Sequence, residues 1–578
     1  MQLGITNLKF LIAMSAAMLA IGLSPFADRD VVAPARPDVP RATVDITMPV
    51  QTGTVRNIAP GDSRGFQNAL RASKCGDTIV LQAGSVYRGS FAIPNVGSCS
   101  GWVVVESSNA ANLPSGTRVG PSSVSNMATL STVALAPALQ FSATGIHNFR
   151  FIGLEISCAT GVCDAPHDLN NGLVEISGGL PSTVAETPNN IIIDRCYIHG
   201  SPTQNIRRGV TANGTNIAVL DSYINEIHEA GAATGGDSQA VEDWSGAGPL
   251  LIQNNFLEAA SENIMFGGAR TRIPGLIPSD ITIEGNYFYK DLSWRGKPAP
   301  YNWVIKDSLE FKNAQRVLVH GNVFSNCWLA GQIGELIELT PRSVNGDTWA
   351  TAADMTFTDN LLEHAAAGFI IAGSDNVDVP TSQPSQKILI QNNVLTDIAT
   401  TWGNGTGGGG WAFLIEDIPA GANPNNRANW HDLIIDHNDI FTASKVHCAI
   451  FTSGGKMASG VLGGPFQFTN NIMDGDLCGQ AQRPGQTSIG LYYHDVTWNK
   501  NVLIESRGMG YSKETVSLSK ISDLRFEEQS SGKDSEGAFH LLTSSPFHNA
   551  GTDGKDIGVS DWNLWKAATS RALDGRRP

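Results

Sequence analysis

The stretch Asn205–Ala269, NIRRGVTANGTNIAVLDSYINEIHEAGAATGGDSQAVEDWSGAGPLLIQNNFLEAASENIMFGGA, decides the fold. Two kinds of short apolar run alternate in it. NIAVLDSYINEI (Asn216–Ile227) and PLLIQNNFLEA (Pro249–Ala259) are apolar runs broken by a polar pair, Asp-Ser in one and Asn-Asn in the other. RGVTANG (Arg208–Gly214), QAVEDWSG (Gln239–Gly246) and ENIMFGG (Glu262–Gly268) form a second set, each closed by glycine. Such runs are the length of strands, not of helices.

Outward from this stretch the first theme continues in both directions. NIIIDRCYIHG (Asn190–Gly200) precedes it, and DITIEGNYFYK (Asp280–Lys290), RVLVHGNVFSN (Arg316–Asn326), DMTFTDNLLEH (Asp354–His364), KILIQNNVLTDI (Lys387–Ile398) and DLIIDHNDIFTA (Asp432–Ala443) follow. FQFTNNIMDGD (Phe466–Asp476) and DVTWNKNVLIE (Asp495–Glu505) continue it more loosely. The period is irregular, roughly 25 to 45 residues, in the range that marks solenoids. Asparagine at a fixed turn accepts a left-handed backbone and can hydrogen-bond along a stack of equivalent turns. Short strands without crossover helices cannot build an ordinary parallel sheet. Coiled into a β-solenoid, each strand is satisfied by the coils above and below it. The expected class is therefore all-β. A β-sandwich or propeller is the alternative, disfavoured by the variable repeat length and the Asn turns.

Ahead of the coils, DSRGFQNALRASKCG (Asp62–Gly76) places Phe66, Ala69 and Leu70 on one helix face, with Asp62 or Ser63 as N-cap and Gly76 as the stop. A short helix here would cap the open end of the core. Thr78–Gln82 is the expected first strand. Residues 28–60 read as a Pro-rich linker, residues 61–567 as the solenoid and 568–578 as a tail. Met1–Ala27, with Lys9 and the apolar run Phe10–Leu23, reads as a signal peptide, an uncleaved anchor being the alternative. No later segment offers the ~18 unbroken apolar residues of a membrane span. A secreted or periplasmic protein with no membrane segment in its mature form is expected, and a monomer. In that compartment the cysteines can pair. Cys75–Cys99, Cys158–Cys163 and Cys448–Cys478 are the expected bridges, with Cys196 and Cys327 as buried thiols.

A formal charge of −15 argues against nucleic-acid binding, which needs a basic footprint. It leaves room for a cation held by carboxylates.

GDTIVLQAGSVYRGSFAIP (Gly76–Pro94), the NN and GN turns, and SSPFHNAGTDGKDIG (Ser544–Gly558) together resemble secreted bacterial right-handed parallel β-helix proteins of the pectate-lyase-like superfamily. The likeness runs from about Gly61 to Ala567. It implies a right-handed coil and a carbohydrate ligand, most often an acidic polysaccharide. It does not choose among lyase, hydrolase, esterase and non-catalytic members.

The second set of runs can be aligned on its apolar positions. If Val210, Val241, Ile264, Leu309 and Ile337 point inward, then Thr211, Glu242, Met265, Glu310 and Glu338 point outward, because strand side chains alternate. Two residues on, Asn213, Trp244, Gly267, Lys312 and Thr340 join that outward face. Carboxylates, a lysine and an indole in such a row are the profile of a polysaccharide groove. The plainer readings are a same-face Glu310–Lys312 ion pair, a Trp244 packed under a loop, and Arg207 and Arg208 as surface charges or ladder partners to neighbouring carboxylates.

For a lyase acting by β-elimination, Lys312 is the expected base, on the premise that a partly desolvated lysine loses its proton. Glu310, Glu338 and Arg208 complete the candidate catalytic group. Glu242, Asp243 and Glu310 could hold Ca²⁺, a cation that prefers oxygen ligands. Trp244, Arg207, Arg342, His228 and Asn263 are candidate substrate contacts. For a hydrolase, Glu310/Glu338 suits the closer carboxylate spacing and Glu242/Glu310 the wider. A non-catalytic glycan-binding scaffold is the third reading. The Gly-rich stretch Thr400–Phe413, with Trp402 and Trp411, is either a lid or a flexible edge.

Overall fold

In the computed structural model the described residues are 31–574, except 170, 232–234, 376–381, 404–408, 417–428, 444–446, 455–460, 480–483, 509 and 528–538. The expected signal peptide and part of the Gly-rich stretch 400–413 lie outside them.

The chain winds into a right-handed parallel β-helix with three long sheets of 14, 14 and 12 strands, all pairings within them parallel. The first sheet begins with Val55–Ile58 and ends with Val496–Asn499; the second runs from Val86–Arg88 to Val516–Leu518, and the third from Phe91–Ala92 to Asp476–Gly479. Each coil contributes one strand to each sheet, so a strand pairs with its counterparts one coil before and after it. Inward residues such as Ile193, Val219, Ile252, Ile283, Val319 and Phe357 stack into one continuous core.

The polar pairs between first and second sheets build an asparagine ladder. Asn255, Asn286, Asn322, Asn360, Asn393, Asn438, Asn471 and Asn501 stand on successive coils. From Asn255 to Asn471, each backbone N–H donates to the side-chain oxygen of the next asparagine at 2.9–3.0 Å. The side-chain amide donates to the same oxygen and to a backbone carbonyl, as Asn286 does to Asn322 and Ile252. These buried groups are therefore satisfied along the stack.

The second or third residue of many first-sheet strands has positive φ. Asn148, Asn190, Asn216, Asp280, Asp354 and Asp432 tolerate this through their short polar side chains, but Arg316 and Lys387 adopt it too. At those two positions the stack imposes the conformation.

The capping helix is Ser63–Ala72, with Phe66, Ala69 and Leu70 buried and Asp62 accepting from the Gly65 N–H at 2.8 Å. It stops at Ser73, before Gly76. Three disulfides form, Cys75–Cys99, Cys158–Cys163 and Cys448–Cys478, and Cys196 and Cys327 are buried thiols. No helix among the described residues is long and apolar enough to cross a membrane.

Two boundaries need correction. The described part of the expected linker is not free of the fold: 31–54 lie extended along the first sheet, and Val55–Ile58 is its first strand, pairing with Thr78–Leu81. At the other end, a cut at 567/568 would divide one helix, Trp562–Leu573. That helix packs Trp562 and Trp565 against Val323, Leu361 and Val394 of the second sheet.

Candidate active site on the third sheet

The register of the third sheet stacks Val174, Val210, Val241, Ile264, Leu309 and Ile337. Their successors form a second stack, Glu175, Thr211, Glu242, Met265, Glu310, Glu338 and Ile370. Glu310 and Glu338 are thus direct neighbours, one coil or about 4.8 Å apart along the stack. Glu242 lies two coils from Glu310, with Met265 between them. Lys312 and Thr340 follow on the same face, where the lysine Nζ donates to Thr340 Oγ1 at 3.1 Å.

Loops and neighbouring side chains close over this row. Glu242, Glu310, Lys312 and Glu338 are all buried, whereas a groove of the kind expected would leave them open. Lys312 pairs with Glu310, and with Asp375 Oδ2 at 2.9 Å; Asp375 also pairs with Arg342. Arg342 is the accessible cation of the group, its side chain 42% exposed. Burial alone would lower the Lys312 ammonium. Glu310, Glu338 and Asp375 outweigh that and hold it above its ordinary value. The premise that desolvation frees this lysine of its proton therefore fails while those carboxylates are charged.

A third row lies at the strand starts, where sequence reading placed Arg208 but none of the carboxylates. Arg208, Gln239 and Glu262 are in register there. Asp307 and Glu335 occupy the same place, two residues before Leu309 and Ile337. Glu262 Oε1 accepts from Lys306 at 2.9 Å and Oε2 from Gln239 at 2.6 Å. Lys306 also donates to Asp237 at 2.6 Å. Asp307 is 0% exposed, and neither of its carboxylate oxygens has a hydrogen-bond partner among the described residues. Ligand oxygens of Glu262, Asp307 and Glu310 lie within 4.8 Å of one another. Burial, then the charges of its neighbours, push Asp307 well above the usual carboxyl range. Burial and Asp237 bring Glu262 to about 8, partly offset by Lys306. Glu335 is pushed to about 7 by burial and Glu310, and Glu338 is raised for the same two reasons.

Glu262, Asp307, Glu310, Glu335, Glu338 and Asp375 thus crowd around Lys306, Lys312 and Arg342. So many buried carboxylates can stay charged only with a further cation, and otherwise they hold protons. Asp307, with two free oxygens facing Glu262 and Glu310, fits a hard divalent ion.

The expected Ca²⁺ set Glu242, Asp243 and Glu310 is not assembled. Asp243 points to the opposite face from Glu242. Its Oδ1 accepts from Ser245 N and Gly246 N at 3.1 and 2.6 Å, closing the turn, and burial brings its carboxyl to about 7. Glu242 pairs with Arg208, whose guanidinium lies 5.3 Å from the Trp244 ring centroid. That pairing commits Arg208 to Glu242, away from Lys312. Arg207 turns to His167 at 2.9 Å and toward Glu229 and Asp237.

Two candidate substrate contacts are structural. His228 is wholly buried, stacked on Trp303 at 3.8 Å with its Nε2 3.0 Å from Glu226. Asn263, also wholly buried, donates to the carbonyls of Leu257 and Tyr289 and accepts from Lys290. The coil corner needs these bonds, because Lys290 itself is buried and spends its other donors on the carbonyls of Ala259, Ala260 and Ser261.

The residues missed were Glu262, Asp307, Glu335, Lys306 and Asp375. A signal existed for three of them: ENI, DSL and ELI each carry an acid two residues before the inward apolar position.

No protein-family model matches the chain, and no curated protein matches it. Among solved structures, it is similar to a mannuronic-acid-specific polysaccharide family 6 lyase from human gut microbiota, at 13% identity and a TM-score of 0.46 over 81% of this chain and 91% of that one. It is similar to the tailspike protein of E. coli bacteriophage HK620 in complex with a pentasaccharide, at 13% identity and a TM-score of 0.44 over 82% and 66%. A pectate lyase matches at 12% identity and a TM-score of 0.34 over 88% and 96%.

Proposed function

We propose that this protein is an exported polysaccharide lyase that cleaves a uronate-containing chain by β-elimination on the third sheet. The observation that carries the reading is Asp307, buried with neither oxygen hydrogen-bonded among the described residues, beside Glu262 and Glu310, on the same coil as the buried Lys312 and one coil from the exposed Arg342. β-Elimination requires the substrate carboxylate to be neutralised, the proton next to it removed, and the leaving oxygen protonated.

Glu262, Asp307 and Glu310 are the residues that would hold a Ca²⁺-like ion. Such an ion, when bound, supplies positive charge against the substrate carboxylate and so acidifies the neighbouring C–H. Arg342, the exposed cation, binds and orients that carboxylate through a bidentate contact. Lys312 takes the proton at Nζ as the carbon–carbon double bond forms and the glycosidic C–O bond breaks. For that it must lose its own proton, which requires charge on Glu310 and Asp375 to be offset on substrate binding. Glu338, raised well above the usual carboxyl range, carries a proton that can pass to the departing oxygen. The three disulfides support export, since such bonds persist in oxidising compartments.

The adjacency of Glu310 and Glu338 favours a second reading. A protonated carboxyl beside one paired with lysine is also the arrangement of a glycoside hydrolase acid and its partner. Incubation of the purified protein with pectate, alginate and glycosaminoglycans, with Ca²⁺ or with chelator, separates the two. A lyase gives an unsaturated product with new ultraviolet absorbance. New reducing ends without that absorbance establish hydrolysis, and neither signal with binding retained rejects both enzymatic readings.

A further inference from the structure

Residues 31–47 run along the outside of the first sheet, against the direction in which the coils stack. Ala35 N donates to Asp432 Oδ1 at 2.8 Å, Asp38 N to Asp354 Oδ1 at 2.9 Å and Arg41 N to Asp280 Oδ1 at 2.9 Å. The donors are three residues apart and the acceptors are two coils apart. Prolines occupy the preceding positions, Pro34, Pro37 and Pro40; Pro34 is buried and the other two half-buried, while the residues between them are exposed. A polyproline II helix has three residues per turn and advances about 9.3 Å per turn. Two coils of a parallel β-helix span about 9.6 Å. The two repeats are commensurate, so one face of the segment meets an aspartate at every turn.

Two of those aspartates, Asp280 and Asp354, pair with a cation on the intervening coil. Arg316 donates to both oxygens of Asp280 at 2.7 and 3.1 Å, and Lys387 lies 3.4 Å from Asp354. Further along, Val44 packs on Ile192, Ala218, Leu220 and Leu251, and Arg150 donates to the Ile46 carbonyl at 2.8 Å. The segment therefore spans the coils that carry Glu262, Glu310 and Glu338.

We propose that Asp280, Asp354 and Asp432 form a binding track for a polyproline II segment with proline at every third residue, filled in cis by residues 34–41. The track acts as a clasp that fixes the axial spacing of the coils beneath the candidate site. Position, and not mere coverage, is what it reads.

Native-state hydrogen exchange on the full chain tests this residue by residue. The amides of Ala35, Asp38 and Arg41 should exchange about tenfold or more slowly than those of Arg36, Val39 and Ala42. Inserting one alanine between Pro37 and Asp38 should abolish the protection of Ala35 and leave Asp38 and Arg41 protected. Inserting three residues, Ala-Arg-Pro, at the same point adds one full turn and should preserve a protected amide opposite Asp432. Equal exchange at all six amides overturns the track. So does continued protection of Ala35 after the single insertion, which would mean the segment is covered without being read.

Discussion

Glu310 and Lys312 stand two residues apart on one face of a single strand and form a buried ion pair, with Asp375 on the other side of the ammonium. That relationship sets both the stability of the site and the terms on which it can react. A lysine so held is anchored and protonated until something changes the charge around it.

Lys312→Ala should therefore do two things at once. It leaves Glu310 without its cation and Asp375 with Arg342 alone, at a cost of about 3–5 kcal/mol. It should also abolish any elimination activity. Lys312→Arg keeps the charge and should restore most of the stability without restoring turnover, because arginine does not give up its proton. Thermal melts and initial rates on the two variants check this, and an active Lys312→Arg would remove Lys312 as the base.

Asp307 has no hydrogen-bond partner among the described residues, so a cation that fills its place should stabilise the fold. At a concentration 100 times its dissociation constant, Ca²⁺ should add about 2.7 kcal/mol. Asp307→Asn should lose that increment. Titration calorimetry and melting with and without chelator measure it directly. A Ca²⁺ shift of equal size in Asp307→Asn would place the ion elsewhere.

The metal-free protein should lose stability as pH rises from about 5 to 8. Glu262 and Glu335 are raised from 4.5 to about 8 and about 7. A carboxyl whose folded value is raised favours folding below its unfolded value, and that advantage is lost as pH climbs through the folded value. Lys306 and Lys312 are raised above 10.5 and stay charged across this window. Added Ca²⁺ should flatten or reverse the slope. Denaturant midpoints at successive pH values test the sign, and a rise in metal-free stability from pH 5 to 8 contradicts the arrangement of charges described.

Asn322 sits in the middle of the asparagine ladder. Its oxygen accepts from Asn286 N and Nδ2 at 2.9 and 3.0 Å, and its own amide donates to Ile283, His320 and Asn360. Asn322→Ala leaves the Asn286 donors buried and unmade, at about 2–5 kcal/mol. Asn501→Ala, at the last rung, should cost less, because its side-chain amide donates to the Phe468 carbonyl and to no further asparagine. Equal losses at both positions would show that the ladder does not act as a chain.

Much of this protein could be read from its sequence alone. Apolar runs with Asn turns dictate coils, because a short strand has no other way to satisfy its backbone on both edges. The inward positions Val210, Val241, Ile264, Leu309 and Ile337 follow from strand alternation, and so do the outward neighbours Glu310 and Glu338. The cysteine pairs follow from sequence proximity and repeat spacing. These are local or periodic properties, and a periodic fold carries them into three dimensions unchanged. What only the tertiary structure decided lies at the corners and in long-range contact. Sequence does not reveal that Asp243 closes a turn, that His228 is sealed between aromatic rings, or that Asp307 meets Glu262 across a coil boundary. Nor does it reveal that residues 34–41 dock against aspartates more than 200 positions away. Corners break the two-residue alternation, and loops of unequal length bring together side chains that no period relates. Burial then sets their charge: Lys312 is proton-bound because carboxylates from three different segments surround it.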